Sequence, residues 1–538
     1  MPEGSSTPWS YLLIRLLFKF VLKIFYGTIV VENTEFIPKT GQPCIVCANH
    51  SNSLTDALLL ATSVPSRARN MLRLTAKSTQ FGHRTFTSWL IESAGTVPIK
   101  RRKDFADGTP DNSEAMDKLM EALELGDAIC LFPEGMSRYH PTIAPLKTGV
   151  ARIVSDVLTR NRHNPDFSIS ILTCSITYMH RQHFRSDVLV TFNPPMTFTP
   201  KDNPELLAPV DYNEVRSLTA RMHQQISART IDAPSWDLVR CAKLATRIYV
   251  PLGTRMSLGD YVRVTRTFVE AFKASEDAQN KLGNGATPGD DVSPEATNED
   301  VELAQLRRDL KRYQDQLVRW GIKDDRIRRP LSRRTILTRL LIRLTWSCTL
   351  LLLSLPGLAL WTPVFITTFV AVHNFKKTGP IWDTWDEIAQ YKLVYGLFSG
   401  LGVWAAAVLL TLPFAPVTMV LVPALMWMTL RWLEDAVSAF RAFTALVRLL
   451  RVGKGTLGSM RATRADLHRR VVGLAVGTLG LPEDPETYFL ESGGREKGRV
   501  RSRWESGAKY FSVRRRRKRD WNETLRLYDK VDYPEEGQ

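Results

Sequence analysis

Cysteine is scarce in this 538-residue chain, and its placement excludes a disulfide framework. The six residues (Cys44, Cys47, Cys130, Cys174, Cys241, Cys348) are scattered, several of them inside apolar runs. That usage fits a reducing, cytosol-facing setting. Cys44 and Cys47 form a C-x-x-C, but no second pair follows at zinc spacing, so no metal centre is expected. Acidic residues are also in deficit: 55 Asp and Glu face 72 Lys and Arg, a formal net charge of +17. The surplus points to anionic partners: phosphorylated substrates, coenzyme phosphates, anionic lipid or nucleic acid. No unbroken apolar run long enough to span a bilayer occurs before Leu344. The nearest, Tyr11–Val31, is interrupted by Arg15, Lys19 and Lys23. It has no convincing small-residue cleavage site, which argues against a removed signal peptide.

What is present divides by composition. Arg15, Lys19 and Lys23 recur every four residues and form one helical stripe. Burying them in a spanning helix costs about 3 kcal/mol each, so an amphipathic helix lying in the membrane plane is favoured over a span. From Cys44 to about Pro195, strand-like and helix-like segments alternate. Ile45–Ala48, Ala128–Phe132, Ser168–Thr177 and Val188–Phe192 read as strands. Ser113–Leu125, with Ser113 as candidate N-cap, and Lys147–Thr159 read as amphipathic helices. The alternation predicts an α/β layered domain, a central sheet flanked by helices. Helices are expected at Asn213–Thr230, through Pro234–Ala274 and at Val301–Trp320. The polar stretch Ser275–Asp300 reads as a disordered linker.

Two apolar tracts follow the arginine-dense segment Arg326–Arg343. Leu344–Val372 is longer than one span needs and holds Pro356 and Pro363, which leaves a kinked span or a re-entrant hairpin. Leu393–Leu430 suffices for two spans with a turn near Pro413 and Pro416. Lys376, Lys377, Lys392 and Arg431 flank the tracts, which favours each tract starting and ending on the cytosolic side. These helices make up the C-terminal membrane-embedded part of the fold. The Arg514–Arg519 run (RRRRKR) reads as a nuclear-import or nucleic-acid segment, a solvated charge run, or a site of attraction to anionic lipid at about 1 kcal/mol per residue.

Four blocks carry the chemistry, each where a strand ends or a loop begins. They are Asn49-His50 through Asp56; Gly95–Ile99 with Lys100-Arg101-Arg102; Phe132-Pro133-Glu134-Gly135 with Pro145–Gly149, which includes Lys147; and Tyr178-Met179-His180 with Phe184-Arg185-Ser186. His50 and Asp56 make a base with its orienter. Each block also has an ordinary reading. Ser53 with Asp56 is a capping box, the second block a solvated patch, Glu134-Gly135 a turn with a structural carboxylate, and His180 with Arg185 a surface loop.

In this order the blocks resemble the glycerolipid acyltransferases. His50–Asp56 has the form His-x-Asn-x-x-x-Asp, one residue longer than the common bacterial spacing and similar to the fungal-type glycerol-3-phosphate/dihydroxyacetone-phosphate acyltransferases. Phe132–Gly135 resembles the family's Phe-Pro-Glu-Gly and Pro145–Gly149 its Pro-Leu-Lys-x-Gly. The fourth block resembles the fungal Tyr-Phe-His…Phe-Arg-Ser, with Met179 in place of Phe. The likeness extends loosely into Leu355–Ile366.

The resemblance implies acyl transfer from acyl-CoA, as co-substrate and with no cofactor, to the sn-1 hydroxyl of glycerol 3-phosphate or dihydroxyacetone phosphate. His50 and Asp56 would be catalytic. Lys100, Arg101, Arg102, Glu134, Gly135, Lys147 and Arg185 would bind substrate, with Arg101 first among the phosphate ligands. Backbone amides of the first or third block would meet the oxyanion. It further implies a multi-pass endoplasmic reticulum protein whose catalytic domain faces the cytosol, with the bilayer as partner and no nucleic acid. The expected order along the chain is an N-terminal membrane-interfacial or transmembrane helix (1–35), the catalytic domain (36–230), a helical extension (231–274), the linker (275–300), a charged helix with a basic juxtamembrane segment (301–343), transmembrane or re-entrant helices (344–432) and a cytosolic basic region (433–538). The rivals are a lysophosphatidate or lysophospholipid acyltransferase and a non-enzymatic membrane scaffold with a polybasic tail.

Overall fold

A computed structural model describes residues 3–84, 86–100, 111–181, 183–251, 254, 256–283, 298–328, 332–377 and 387–491. Arg101, Arg102 and the Arg514–Arg519 run lie outside these residues. The chain divides into two compact units. Among the described residues, the first holds 3–230 with 387–393, and the second holds the remainder.

The first unit is built on a mixed sheet. Its strands are β1 (Thr28–Glu32), β2 (Cys44–Ala48), β5 (Ala128–Leu131), β6 (Ile169–Tyr178), β7 (Asp187–Phe192) and β8 (Met196–Phe198), in the order β1-β7-β6-β2-β5 with β8 beside β6. β2 runs parallel to both β5 and β6, with Cys47 opposite Leu131 and Ala48 opposite Cys174. These strands are near-continuous apolar runs because parallel strands are covered on both faces. The helices α4 (Ser113–Glu124), α5 (Gly149–Arg160) and α6 (Tyr212–Ser227) cover one face. Leu119, Leu123, Val150, Val154, Leu218 and Met222 meet Ile45, Ile129, Ile169 and Ile171 there. A separate parallel pair, β3 (Thr75–Lys77) and β4 (Val97–Ile99), was not expected from sequence. It adjoins β5 through a parallel bridge between Arg73 and Ile129.

The expected N-terminal helix proves shorter. It is α1 (Trp9–Phe25), and the rest of the run forms β1, which pairs with β7. Gly27 breaks the helix, and the β-branched sequence Thr28–Val31 favours strand. The catalytic sheet therefore begins before residue 36, the boundary drawn from sequence. α1 packs against the unit with Tyr11 and Ile14 beside Met71 and Ala94, while Trp9, Leu12, Leu16 and Phe20 are exposed. The first unit also takes in residues 387–393: Lys77 pairs with Glu387 at 3.9 Å, and the Leu54 amide donates to Gln390 Oε1 at 3.3 Å.

The second unit is helical. It contains α7 (Trp236–Tyr249), α8 (Leu258–Gly283), α9 (Asn298–Trp320) and α10 (Asp324–Arg328). The expected linker is thus trimmed from both ends by α8 and α9, and its middle lies outside the described residues. Three helices are long and apolar enough to cross a membrane by length and composition. The first, α11 (Arg333–Lys376), is continuous through Pro356 and Pro363, so the re-entrant hairpin is excluded. A helix that crosses once ends on the face opposite its start, which also removes the expected return of this tract to one side. α12 (Ile388–Leu410) and α13 (Ala415–Arg451) flank a turn at Leu412–Phe414, as the prolines suggested. α11 and α13 are antiparallel and close. Ser347 Oγ donates to the Ala436 carbonyl at 3.0 Å and Trp361 Nε1 to that of Met426 at 2.9 Å, and Gly357 leaves room for Thr429. Pro423 deprives the Met419 carbonyl of its helical donor, and Trp404 Nε1 supplies one at 3.2 Å. The region expected as a basic tail begins with the end of α13 and then α14 (Lys454–Gly473) and α15 (Pro485–Glu491).

Candidate active site

Parallel pairing brings the site together. β2, β5 and β6 run in one direction, so their carboxyl ends share one edge of the sheet. That is where ligands sit in open α/β sheets. β2 delivers Asn49 and His50, β5 delivers Phe132 to Gly135, and β6 delivers Tyr178. Asn49 continues the β2–β6 pairing with its side chain: it accepts from the Ile176 amide at 2.7 Å and donates to the Ile176 carbonyl at 2.9 Å. His50 is thereby launched from a fixed backbone.

His50 Nδ1 lies 2.9 Å from Asp56 Oδ2, and its ring stacks on Phe132 at 4.2 Å between centroids. Asp56 is fully buried, in the first turn of α2 (Leu54–Ser63). A buried carboxylate needs donors, and four serve it. Oδ2 accepts from His50 Nδ1, from the Ser51 amide at 2.9 Å and from the Asn52 amide at 2.8 Å, and Oδ1 accepts from the Tyr178 hydroxyl at 2.6 Å. The capping box does not form. Ser53 makes no side-chain cap, and Asp56 reaches back to the preceding amides instead. The loop that allows this is strained: Ser53 sits at φ +47°, ψ −134°.

Glu134 clamps the other side of His50. Its Oε1 accepts from the His50 amide at 2.5 Å and its Oε2 from the Ala144 amide at 3.1 Å. Burial pushes its carboxyl above the ordinary carboxylate range, opposed by these two bonds. Sequence assigned Glu134 to substrate binding, but both of its oxygens are committed to the backbone. Gly135, at φ +78°, lies under the exposed Lys147, whose Nζ would collide with any Cβ there. Lys147 is thus at the turn.

The remaining candidates separate. Lys100 follows β4, and its backbone is fixed by Asn112 at 2.8 Å and 2.9 Å. β4 parallels β3, and the segment leading into β3 runs parallel to β5 at the isolated Arg73–Ile129 bridge, so the chain at Lys100 runs toward the same edge as His50. Arg101 and Arg102 lie outside the described residues. Arg185 is a correction. Its Nη1 donates to the carbonyls of Lys23, Ile24 and Tyr26, and its amide to that of Phe25. It caps the C-terminus of α1, whose last carbonyls have no helical donors. Four of the amides expected at the oxyanion are engaged within the protein. Those of His50, Ser51 and Asn52 are taken by Glu134 and Asp56, and that of Gly135 donates to Phe132.

Sequence reasoning missed the shell around the pair. Tyr178 stood in the fourth block without a role. Asn52, buried, donates to Tyr26 Oη at 3.1 Å. Cys44 and Cys47, three apart on one strand, point to opposite faces and cannot act together. Burial raises the Cys44 thiol to about 11. Among the described residues, no group of three or more His, Cys, Asp or Glu is placed to hold a metal ion.

Residues 28–177 match the family model described as Acyltransferase, and residues 294–379 that of the Glycerol-3-phosphate acyltransferase 2 C-terminal domain. Glycerol-3-phosphate O-acyltransferase 2 of Saccharomyces cerevisiae is 24% identical over 53% of this chain and 36% of its own length. Glycerol-3-phosphate O-acyltransferase 1 of the same yeast is 23% identical, again over 53% and 36%. An uncharacterized acyltransferase of Schizosaccharomyces pombe is 26% identical over 53% of this chain and 40% of its own. The chain thus spans well under half the length of the curated relatives it matches. The crystal structure of the 1-acyl-sn-glycerophosphate acyltransferase PlsC of Thermotoga maritima is 21% identical over 41% of this chain and 80% of that one, with a TM-score of 0.29. Residues 28–177 are an acyltransferase domain, in a chain whose sequence relatives include the yeast glycerol-3-phosphate O-acyltransferases.

Proposed function

We propose that this protein acylates the sn-1 hydroxyl of glycerol 3-phosphate from an acyl-CoA thioester, yielding lysophosphatidate and free coenzyme A. The observation that carries the reading is the bond between His50 Nδ1 and Asp56 Oδ2 on the shared edge of β2, β5 and β6. A carboxylate at Nδ1 holds the imidazole proton there and leaves Nε2 as the acceptor. Nε2 removes the proton of the attacking hydroxyl. The oxygen adds to the thioester carbonyl, and the intermediate collapses with loss of the thiolate, which recovers the proton from His50. The thiol is a competent leaving group, so no acyl-enzyme and no cofactor is required.

The acceptor is a phosphate monoester, and its charge calls for cations. Lys147, over Gly135, and Lys100, at the same edge, are the described residues we assign to it, with Arg101 and Arg102 beside Lys100 in sequence. With the amides around His50 already engaged, Lys147 is also the group we assign to the developing oxyanion. Dihydroxyacetone phosphate offers the same hydroxyl and phosphate and is included as an acceptor. The donor and product both partition into bilayers. We therefore assign the protein to the endoplasmic reticulum membrane, with the acyltransferase unit and the basic Arg326–Arg343 sequence both assigned to the cytosolic side, and the exposed Trp9, Leu12, Leu16 and Phe20 face of α1 lying in the interface.

The test is acyl transfer by membranes carrying the full chain. Palmitoyl-CoA is offered with glycerol 3-phosphate, dihydroxyacetone phosphate or lysophosphatidate, with wild type and His50→Ala side by side. Product from either of the first two acceptors, abolished in the variant, supports the reading. Product from lysophosphatidate alone overturns the acceptor, and none from any acceptor overturns the activity.

A further inference from the structure

Asp56 has two outward partners, and only one is the base. Oδ2 faces His50, whereas Oδ1 receives the Tyr178 hydroxyl at 2.6 Å, the shorter of the two side-chain bonds. Tyr178 ends β6, the strand that pairs with β2 and also binds the Asn49 side chain. Its ring lies 5.9 Å from that of Tyr26, at the end of α1. The phenol is thus held from three sides: the sheet, α1 and the first turn of α2.

We propose that Tyr178 is a positioning residue for the transfer reaction, fixing the Asp56 carboxylate against His50 Nδ1 and drawing off part of its charge, and so setting the pH at which the imidazole is free to act as base. The inference rests on the reading of His50 as that base. A donor on Oδ1 withdraws electron density from the anion that faces the imidazole, which lowers the stabilisation of the imidazolium. Burial and the Asp56 charge hold the Tyr178 phenol well above its ordinary value, so it remains a donor throughout the working range. Other ionisable groups around the pair are Glu134 after β5, Tyr26 at the end of α1, and the buried thiols of Cys130 on β5 and Cys174 on β6. The phenol and the thiols are kept neutral by burial. Arg138, whose amide donates to the His50 carbonyl, Arg181, whose guanidinium donates to that of Ser51, and Lys147 carry the positive charge of the adjoining loops. Tyr178→Phe leaves every one of these groups in place and removes one oxygen.

The experiment uses the full chain in membranes, with palmitoyl-CoA and glycerol 3-phosphate across pH 5.5 to 9, comparing wild type, His50→Ala and Tyr178→Phe. The expected result for Tyr178→Phe is a fall in kcat of about 10-fold, little change in KM for either substrate, and an acid limb moved up by roughly half a pH unit. The rate at which diethylpyrocarbonate modifies His50, read by peptide mass spectrometry, reports neutral imidazole without turnover and should shift by the same amount. 3-Fluorotyrosine placed at 178, a stronger donor, should move both curves down. Wild-type kcat, acid limb and modification profile in Tyr178→Phe overturn the inference alone. An inactive wild type, or a fully active His50→Ala, overturns the underlying reading, and the modification profiles still decide the role of Tyr178.

Discussion

The carboxylate of Glu134 reaches across from the β5 loop and accepts the backbone N–H of His50 at 2.5 Å. The acid of the Phe-Pro-Glu-Gly turn therefore holds the main chain of the base, while its second oxygen holds Ala144. A group so placed acts on catalysis through position. Glu134→Gln keeps the shape but sets an amide N–H₂ against one of the two backbone donors, leaving it unsatisfied at a cost of about 1–3 kcal/mol. The expected result is a kcat lowered by 10-fold or more, about 1.4 kcal/mol, with KM for glycerol 3-phosphate nearly unchanged. A rise confined to that KM would instead make Glu134 a substrate ligand.

The same carboxyl predicts a pH dependence of stability. Its folded value is raised by burial above the ordinary 4.5. The native state therefore holds the proton more tightly than the unfolded chain does, and ionising Glu134 in place weakens the fold. That cost is absent below 4.5, grows as pH rises through the folded value, and is constant above it. Glu134→Gln lacks the cost. The stability advantage of wild type over this variant should thus be largest at acid pH and shrink toward neutrality, as read by thermal unfolding of both proteins from pH 4 to 8.

Gly135 is required twice over, by its φ of +78° and by Lys147 above it. Gly135→Ala strains the backbone, at about 1–2 kcal/mol, and pushes the ammonium aside. Both stability and KM for the phosphate acceptor should suffer. Lys147→Ala should raise that KM and lower kcat with little loss of stability, since the side chain is exposed. Equal melting temperatures for the two variants would refute the division.

Arg185 caps α1 rather than facing substrate, so Arg185→Ala should act on stability. A loss of about 1–2 kcal/mol is expected from the freed carbonyls, with KM for both substrates close to wild type. Thermal unfolding and steady-state kinetics on one preparation separate this from a role in phosphate binding.

Between α11 and α13, a Cβ on Gly357 would collide with Thr429 Oγ1. Gly357→Ala should force α11 and α13 apart and lower the unfolding temperature in detergent. Adding Thr429→Gly should recover part of the loss. An unchanged unfolding temperature for the single variant would show that the helices do not approach this closely.

Much of this protein was legible along the chain, because short-range rules govern it. Apolar periodicity located α4, α5 and α6, and continuous apolar runs located β2, β5, β6 and β7. Residues 50 and 56 stood out because an imidazole and a carboxylate at the start of one helix are close whatever the fold around them. Run length located the helices long and apolar enough to cross a membrane, and the prolines located the turn between α12 and α13, although the prolines inside α11 do not interrupt it. Only the tertiary structure could decide what Glu134, Arg185 and Tyr178 do. Glu134 and Tyr178 lie 84 and 122 residues from the pair they serve, and Arg185 lies 162 residues from the helix end it caps. No local preference specifies such contacts. They exist because three parallel strands end at one edge, and a buried carboxylate there must find its donors wherever the chain returns. Sequence determined which groups were available for chemistry; the sheet decided which of them meet substrate and which hold the others in place.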